Sequence, residues 1–489
     1  MKNLLIVALL FFWGVGNSQT KYEPTWESID RRPVADWFQD AKLGIFIHWG
    51  PYSVPAWSPK GTYSEWYQYW LQNRTLFGNG KFSGKEVLEH HQKTYGNHFS
   101  YYNFGEMLTA RDFDANEWAK LFEDAGAKYM MITSKHHDGY CLWPSKEASK
   151  TWGFPWNAKE VGAKRDLLKE LELAVKKTDV KFGTYYSLYE WFNPLYKKDA
   201  EKFALEHMHP QFKDLVQNYK PELIWSDGDW DQTPETWHSK ELLTWLFNES
   251  AVANSVVVND RWGKDCRFKH GGYYSSEYGS TLDGSRPWEE CRGIGFSFGY
   301  NVNEDVSDYA SRRTLVYLLL NVVSHGGNLL LDIGPDRFGN IPPIMQDRLL
   351  ALGKWLKVNG EAIYGTRKWE RVCQWSEKGK KDWKPEGAHY LPADFIIKQT
   401  IEPEPGYAVR EIFFTKKGKD LFAIVPKWPK GDLTIRNLKV KKGAQIILLG
   451  TKHKVKFTQK GKDLILHVPN LTVDELPCEY AYSFKISNL

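Results

Sequence analysis

Cysteine is scarce in this chain of 489 residues: Cys141, Cys266, Cys291, Cys373 and Cys478 form an odd, scattered set with no Cys-x-x-Cys pair. That excludes a disulfide framework, which a core of this size does not need, and leaves room for one incidental bridge at most. Long apolar runs are missing after the first residues, so no later segment reads as a membrane-spanning helix. No His-Glu-x-x-His sequence is present, and no Gly-x-Gly-x-x-Gly turn follows a strand, which removes the usual mark of dinucleotide binding. Neither sign of charge dominates: 65 Lys and Arg face 60 Asp and Glu, and the cations are spread along the chain. Nucleic acid is therefore a poor partner, while a mild attraction to anionic polysaccharide is compatible with the small excess.

What is present begins with Met1-Lys-Asn and an apolar stretch from Leu4 to Trp13, followed by Gly14 to Gln19. A positive start and a short apolar core read as a signal peptide over residues 1–19, so export to the periplasm or medium is expected. The remaining length exceeds one usual core and predicts a large catalytic domain with a smaller one behind it. Aromatic residues make up 15% of the chain, with 23 tryptophans, more than core packing requires. Sugars stack their C–H faces on such rings, although any single ring is as readily core filler.

From about residue 22 to 365, strand-like runs alternate with amphipathic helices. The strands read are Leu43 to His48, Tyr129 to Thr133, Lys181 to Tyr186, Leu223 to Trp225, Ser255 to Val258 and Asn328 to Ile333, with further candidates at Gly272 to Glu277 and within 51–105. Asp114-Ala-Asn-Glu117 resembles a capping box, opening a helix with Trp118, Leu121, Phe122 and Ala125 on one face, which Gly126 closes. Similar helical patterns occupy Asp166 to Lys177, Thr236 to Phe247, Tyr309 to Val323 and Met345 to Val358. Repeated β-then-α order implies a parallel sheet, and a (β/α)8-like barrel over 20–365 fits better than an open doubly wound sheet. After about residue 366 the helical period vanishes. Short, often alternating runs, including Asp394 to Ile397, Arg410 to Phe414, Asp420 to Val425, Leu433 to Val440, Gln445 to Leu449 and Asp463 to Val468, predict an antiparallel β-sandwich over 366–489, packed directly on the barrel.

Strand ends are where a barrel presents its chemistry. The runs above deliver His48; Lys135, His136, His137 and Asp138; Tyr185, Tyr186 and Glu190; Asp227 and Asp229; Asn259, Asp260 and Arg261; and Asp332. Carboxylates, imidazoles, an arginine and aromatics on one face suit glycoside hydrolysis, which needs one ionised carboxylate at the anomeric carbon and one protonated carboxyl at the leaving oxygen. Metal-assisted hydrolysis is the rival reading of His136-His137-Asp138. Neighbours on an extended strand point to opposite faces, which makes the two histidines an awkward pair for one ion, and no metal is expected.

The segments Leu43-Gly-Ile-Phe-Ile-His-Trp-Gly50, Ser64-Glu-Trp-Tyr67, Ser134-Lys-His-His-Asp-Gly139, Tyr185-Tyr-Ser187, Trp225-Ser-Asp-Gly228, Asn259-Asp-Arg261, Trp288-Glu-Glu-Cys291, Phe296-Ser-Phe-Gly-Tyr300 and Asn328-Leu-Leu-Leu-Asp-Ile-Gly-Pro335 resemble, in order, the motifs of the α-L-fucosidases of glycoside hydrolase family 29. The resemblance spans the whole mature chain. It implies a retaining exo-hydrolase of terminal α-L-fucose, acting without cofactor or metal on fucosylated oligosaccharides or polysaccharides. Asp227 matches the family nucleophile. His48, Glu65, Trp66, His136, His137, Tyr186, Arg261 and Phe298 match positions around the fucose ring, where Trp66 or Phe298 would wall the 5-methyl. Glu277, in Ser275-Ser-Glu-Tyr278, is the first choice for acid/base, as a loop carboxyl near apolar rings. Glu289, in the tryptophan-glutamate-x-cysteine motif, is the alternative. Asp229, Glu290 and Asp332 are read as supporting groups. Two other readings stand beside this one: a fucosidase directed at sulfated fucan, and a fucose-binding protein that has lost turnover.

Overall fold

The computed structural model describes residues 21–73, 76–77, 82–282, 286–388 and 390–489. The expected signal peptide, 1–19, lies outside them. Eight strands form one parallel sheet: β1 (Leu43–Ile47), β2 (Tyr129–Lys135), β3 (Lys181–Ser187), β4 (Leu223–Asp227), β5 (Val257–Val258), β6 (Tyr274–Glu277), β7 (Trp288–Gly293) and β8 (Asn328–Ile333). Their order is β5-β4-β3-β2-β1-β8-β7-β6, and a single parallel bridge, Asn259 to Tyr273, joins the two edges into a ring. The fold is thus a (β/α)8-like barrel. Helices α1 (Ala115–Asp124), α2 (Leu167–Val175), α3 (His209–Tyr219), α4 (Ser239–Asn248), α5 (Arg312–Ser324) and α6 (Pro343–Asn359) flank it. Among the described residues no helix separates β5, β6 and β7.

Half of the capping box expected at α1 is present: the Asp114 side chain accepts from the backbone N–H of Asn116 and of Glu117, and Trp118 and Phe122 lie buried. The run 288–293, which carries Glu289, Glu290 and Arg292, is a fully buried strand that its charges concealed. The predicted strand at 394–397 is instead a helical turn, Phe395–Lys398. Its Phe395 and Ile396 are buried in the main core, so the apolar run is satisfied without a ladder.

Period-two alternation decides what enters the barrel. Along β1, Leu43, Ile45 and Ile47 face the helices, whereas Phe46 belongs to the interior cluster with Tyr185, Trp225, Tyr129 and Leu330. Gly44 shares Phe46's parity, and a Cβ there would strike the Tyr129 ring that fills its place. Each fully buried large side chain contributes roughly 1.5–3 kcal/mol of transfer energy, which makes this aromatic plug a main support of the barrel. The plug closes the barrel below the site.

Behind α5 and α6, a five-stranded antiparallel sheet, β9 (Cys373–Trp375), β10 (Arg410–Lys417), β11 (Asp420–Val425), β13 (Ile446–Leu448) and β16 (Tyr482–Ile486), faces a three-stranded one, β12 (Leu433–Ile435), β14 (Lys456–Lys460) and β15 (Asp463–His467). Alternation works on both faces here: Ile412 and Phe414 enter the core between the sheets, and Phe413 enters the core against the barrel helices. Trp355 Nε1 donates to the Ala481 carbonyl at 2.9 Å and Ser483 Oγ to Asn359 Oδ1 at 2.7 Å, so barrel and sandwich pack directly.

Candidate active site

At the C-terminal mouth of the barrel lies a cavity of about 330 Å³. The same parity that sends Phe46 and Trp225 inward sends His48 and Asp227, two residues on, to its floor. Gly228 follows with φ +79°, and a Cβ there would collide with the Tyr189 ring, so glycine lets the chain turn directly after Asp227. Ser226 points the other way and locks β4 to the next loop: its Oγ lies 2.7 Å from Asn259 Oδ1 and 2.6 Å from the Arg261 carbonyl.

Arg261 is the centre of the charge arrangement. Its Nη1 stands 2.9 Å from Asp227 Oδ1 and 2.5 Å from Glu277 Oε1, so those two oxygens are no more than ~5.4 Å apart. Its Nε donates to Ser275 Oγ at 2.8 Å, and Asp260 in turn accepts from the Ser275 hydroxyl and backbone N–H. The guanidinium lies 4.1 Å above the Trp225 ring. Tyr185 donates to Asp227 Oδ2 at 2.8 Å, and His137 Nε2 is 3.4 Å from the same oxygen. Burial opposes the charge on Asp227, but His137 and the Arg261 cation outweigh it and hold the carboxyl well below the usual carboxylate range. A carboxylate kept ionised in this way suits attack on carbon.

Around this pair the walls are imidazole and aromatic. Burial pushes His48 down to about 3, and burial with the nearby Glu65 charge holds Asp332 well above the carboxylate range. The two side chains meet at 2.6 Å between His48 Nδ1 and Asp332 Oδ1. Glu65, raised to about 7 by burial, accepts at Oε2 from the Gly299 N–H at 2.8 Å. Its Oε1, His136 Nδ1 and Arg261 Nη2 are buried without a partner inside the protein. Buried polar atoms are ordinarily satisfied, and a ring bearing several hydroxyls supplies the donors and acceptors these three need. Phe298 stacks on His48 at 5.0 Å, and Trp66 lies edge-on to His137 at 5.8 Å, which gives the cavity two apolar walls.

Of the residues singled out in the sequence, His48, Glu65, Trp66, His136, His137, Asp227, Glu277 and Phe298 line the cavity, with Arg261 beneath two of them. Tyr186 does not. It faces outward, its hydroxyl donating to Gln211 Oε1 at 2.8 Å and its ring packed on Phe212, because the inward parity of β3 belongs to Tyr185. Glu289 is also displaced from the mouth. It sits at the start of β7, paired with Asn328 at the opposite end of the barrel, fully buried and hydrogen-bonded by Tyr129, Trp225 and Tyr273. Glu277 ends strand β6 instead of lying in a loop. His136 and His137 do not point to opposite faces: β2 ends at Lys135, and both rings turn into the cavity with centroids 4.3 Å apart. Lys135 takes the other direction and pairs with buried Glu190. Among the described residues, no group of three or more His, Cys, Asp or Glu side chains is arranged to hold a metal ion.

Several lining residues were not anticipated: Arg267, Trp230, Tyr63, Cys291 and Tyr390. Asp229 holds Arg267 in a bidentate pair, two 2.9 Å bonds, at the cavity edge. Trp230 was within reach of sequence reasoning, three residues past Asp227. Tyr390 carried no local signal, since it arrives from the segment beyond the barrel.

A (β/α)8-like barrel that sets two carboxylates about one arginine at its strand ends, under a wall of rings and hydroxyl-binding groups, has the makings of a glycoside hydrolase. The sequence pattern described as Alpha-L-fucosidase matches residues 10–361, and that of the Alpha-L-fucosidase C-terminal domain matches 407–487. The chain is 44% identical to the α-L-fucosidase of Dictyostelium discoideum over 76% of its length and 79% of the relative's. It is 38% identical to the tissue α-L-fucosidase of Homo sapiens over 99% and 97% of the two chains. Among solved structures, the Thermotoga maritima α-fucosidase in complex with fucose superposes with a TM-score of 0.74, at 34% identity, over 95% of this chain and 100% of the other. The chain belongs to the α-L-fucosidase family of glycoside hydrolases.

Proposed function

We propose that the protein removes terminal α-L-fucose from glycans by double displacement, with Asp227 as nucleophile and Glu277 as acid/base. The observation that carries this is the shared Arg261, which holds the two carboxylate oxygens within ~5.4 Å. Retaining glycosidases keep the pair about 5–5.5 Å apart, whereas inverting ones need about 6.5–9.5 Å to admit a water. In the first step an Asp227 oxygen bonds to the anomeric carbon as the bond to the leaving oxygen breaks, and Glu277 gives that oxygen its proton. In the second, Glu277 takes a proton from water, the water oxygen bonds to the same carbon, and Asp227 leaves. Two inversions restore the starting configuration. His48, Glu65, His136, His137 and Arg261 meet the sugar hydroxyls, and Trp66 and Phe298 flank its methyl. A silent binding protein would need neither the ionised Asp227 nor a second carboxyl opposite it.

The expected result is that proton NMR at early times shows α-L-fucose released first from an α-L-fucoside. Initial release of the β anomer would overturn the double displacement.

The same reading divides the chain into a catalytic barrel, 20–365, and a sandwich, 366–489, a division supported by the separately matched regions 10–361 and 407–487. It also takes 1–19 as an export signal, in line with its charged start and apolar stretch. Among the described residues no helix is long and apolar enough to cross a membrane. The mature, exported protein should begin near residue 20, which N-terminal sequencing reads directly; a secreted chain starting at Met1 would contradict it.

A further inference from the structure

A second, larger cleft of about 970 Å³ opens beside the catalytic cavity and shares Tyr63, Trp66, Trp230 and Tyr390 with it. Its lining is unlike an ordinary surface groove: eleven of its nineteen residues are aromatic, which is the surface that pyranose C–H faces stack on. It is about three times as large as the catalytic cavity, room for more than one sugar unit.

Its position relative to the chemistry is set by the chain itself. Trp230 lies three residues after Asp227, is 39% exposed, and stacks on Trp66 with centroids 6.2 Å apart, so it forms the partition between the two spaces. Tyr63 and Tyr390, on the same border, line the catalytic cavity together with Glu277. The cleft therefore opens directly from the cavity that holds Glu277 and Asp227. Farther out, Tyr69 packs against Trp66 and Trp191 at 5.2 and 5.4 Å, and Lys197 lies 5.6 Å over the Phe192 ring.

Charge narrows the ligand class. Among the described residues the cleft carries two cations, Lys60 and Lys197, and two anions, Glu86 and Asp231. Lys60 is already neutralised by Asp305 and Asp308, and Asp231 accepts from the Tyr196 hydroxyl. A sulfated chain would call for a surplus of unpaired cations, which the described residues of this lining do not supply.

We propose that this aromatic cleft binds the leaving part of the substrate, a neutral oligosaccharide of at least two sugar units, and that Trp230, Tyr69 and Phe192 are its stacking platforms. The proposal rests on the hydrolytic reading of Asp227 and Glu277 and adds the substrate class. It also favours neutral fucosylated glycans over sulfated fucan.

The test compares wild type, Phe192→Ala and Tyr69→Ala on a nitrophenyl α-L-fucoside, on fucosylated lactose and on a sulfated fucan oligosaccharide. Neither replaced residue lines the catalytic cavity. For fucosylated lactose, kcat/KM is expected to fall about tenfold in each variant, mostly through KM, while the nitrophenyl substrate changes less than about twofold. Wild type should prefer the neutral to the sulfated oligosaccharide. Lactose alone, titrated against tryptophan fluorescence, should bind wild type saturably and the variants more weakly, a readout that stands even if turnover follows another mechanism. Equal losses on the nitrophenyl and lactose substrates, no loss in either variant, absence of lactose binding, or preference for the sulfated chain would overturn the proposal.

Discussion

Replacing Asp227 by glycine is expected to lower turnover of an α-L-fucoside by about 10⁴-fold or more, because no other group stands where the covalent bond to the anomeric carbon must form. Fold and fucose binding should survive. Removing one member of a buried ion pair normally leaves a costly unpaired charge, but Arg261 still contacts Glu277, and the Tyr185 hydroxyl can turn to the space that opens. Azide should enter that space and restore part of the cleavage, bonding to the anomeric carbon once and giving the β-L-fucosyl azide. Circular dichroism checks the fold, and product analysis checks the anomer. Wild-type-like hydrolysis by the purified variant would falsify the nucleophile assignment.

The second large effect separates the two glutamates. Glu277→Ala should slow cleavage of a fucosylated disaccharide by about 10²–10⁴-fold, since a sugar alkoxide cannot leave without a proton. A nitrophenyl fucoside has a leaving group that needs no such help, so its first step is spared. A burst of nitrophenolate is expected, followed by slow release of the fucosyl enzyme, because the same carboxyl also activates the water. Glu289→Ala should behave differently. With its carboxylate gone, Tyr129, Trp225 and Tyr273 are left as buried donors without an acceptor, at a cost of ~1–3 kcal/mol each, so melting temperature and both substrates should suffer together. If the dependence on leaving group appears in the Glu289 variant alone, the acid/base assignment to Glu277 is wrong.

The two misplaced residues have different causes, parity and depth. Tyr185 and Tyr186 are chemically interchangeable as candidates, and only the parity of β3, with Tyr185 beside Trp225 in the interior and Tyr186 packed on Phe212, separates them. Glu289 and Glu277 differ by depth. Register sets Glu289 opposite Asn328 at the foot of the barrel and Glu277 opposite Cys291, one layer higher and open to the cavity. A motif tells which residue types occur together but not which end of a strand carries them. For His136 and His137 the strand runs two residues beyond the expected Thr133 but ends at Lys135, before either histidine, and past its end the period of two no longer applies.

What the sequence by itself determined is local. Apolar runs with period two, capped helices between them, and Asp227 delivered at the end of one such run are properties of neighbouring residues, and they suffice for a barrel with chemistry at its strand ends. Tertiary structure alone decided the partners: Arg261 joining Asp227 to Glu277 across two loops, Asp332 meeting His48 from the last strand of the barrel, which pairs with the first, and Tyr390 reaching the cavity mouth from beyond the barrel. The reason is physical. Hydrogen bonding and protonation depend on distance and burial in three dimensions, so residues hundreds of positions apart set one another's charge only after the barrel has closed around them.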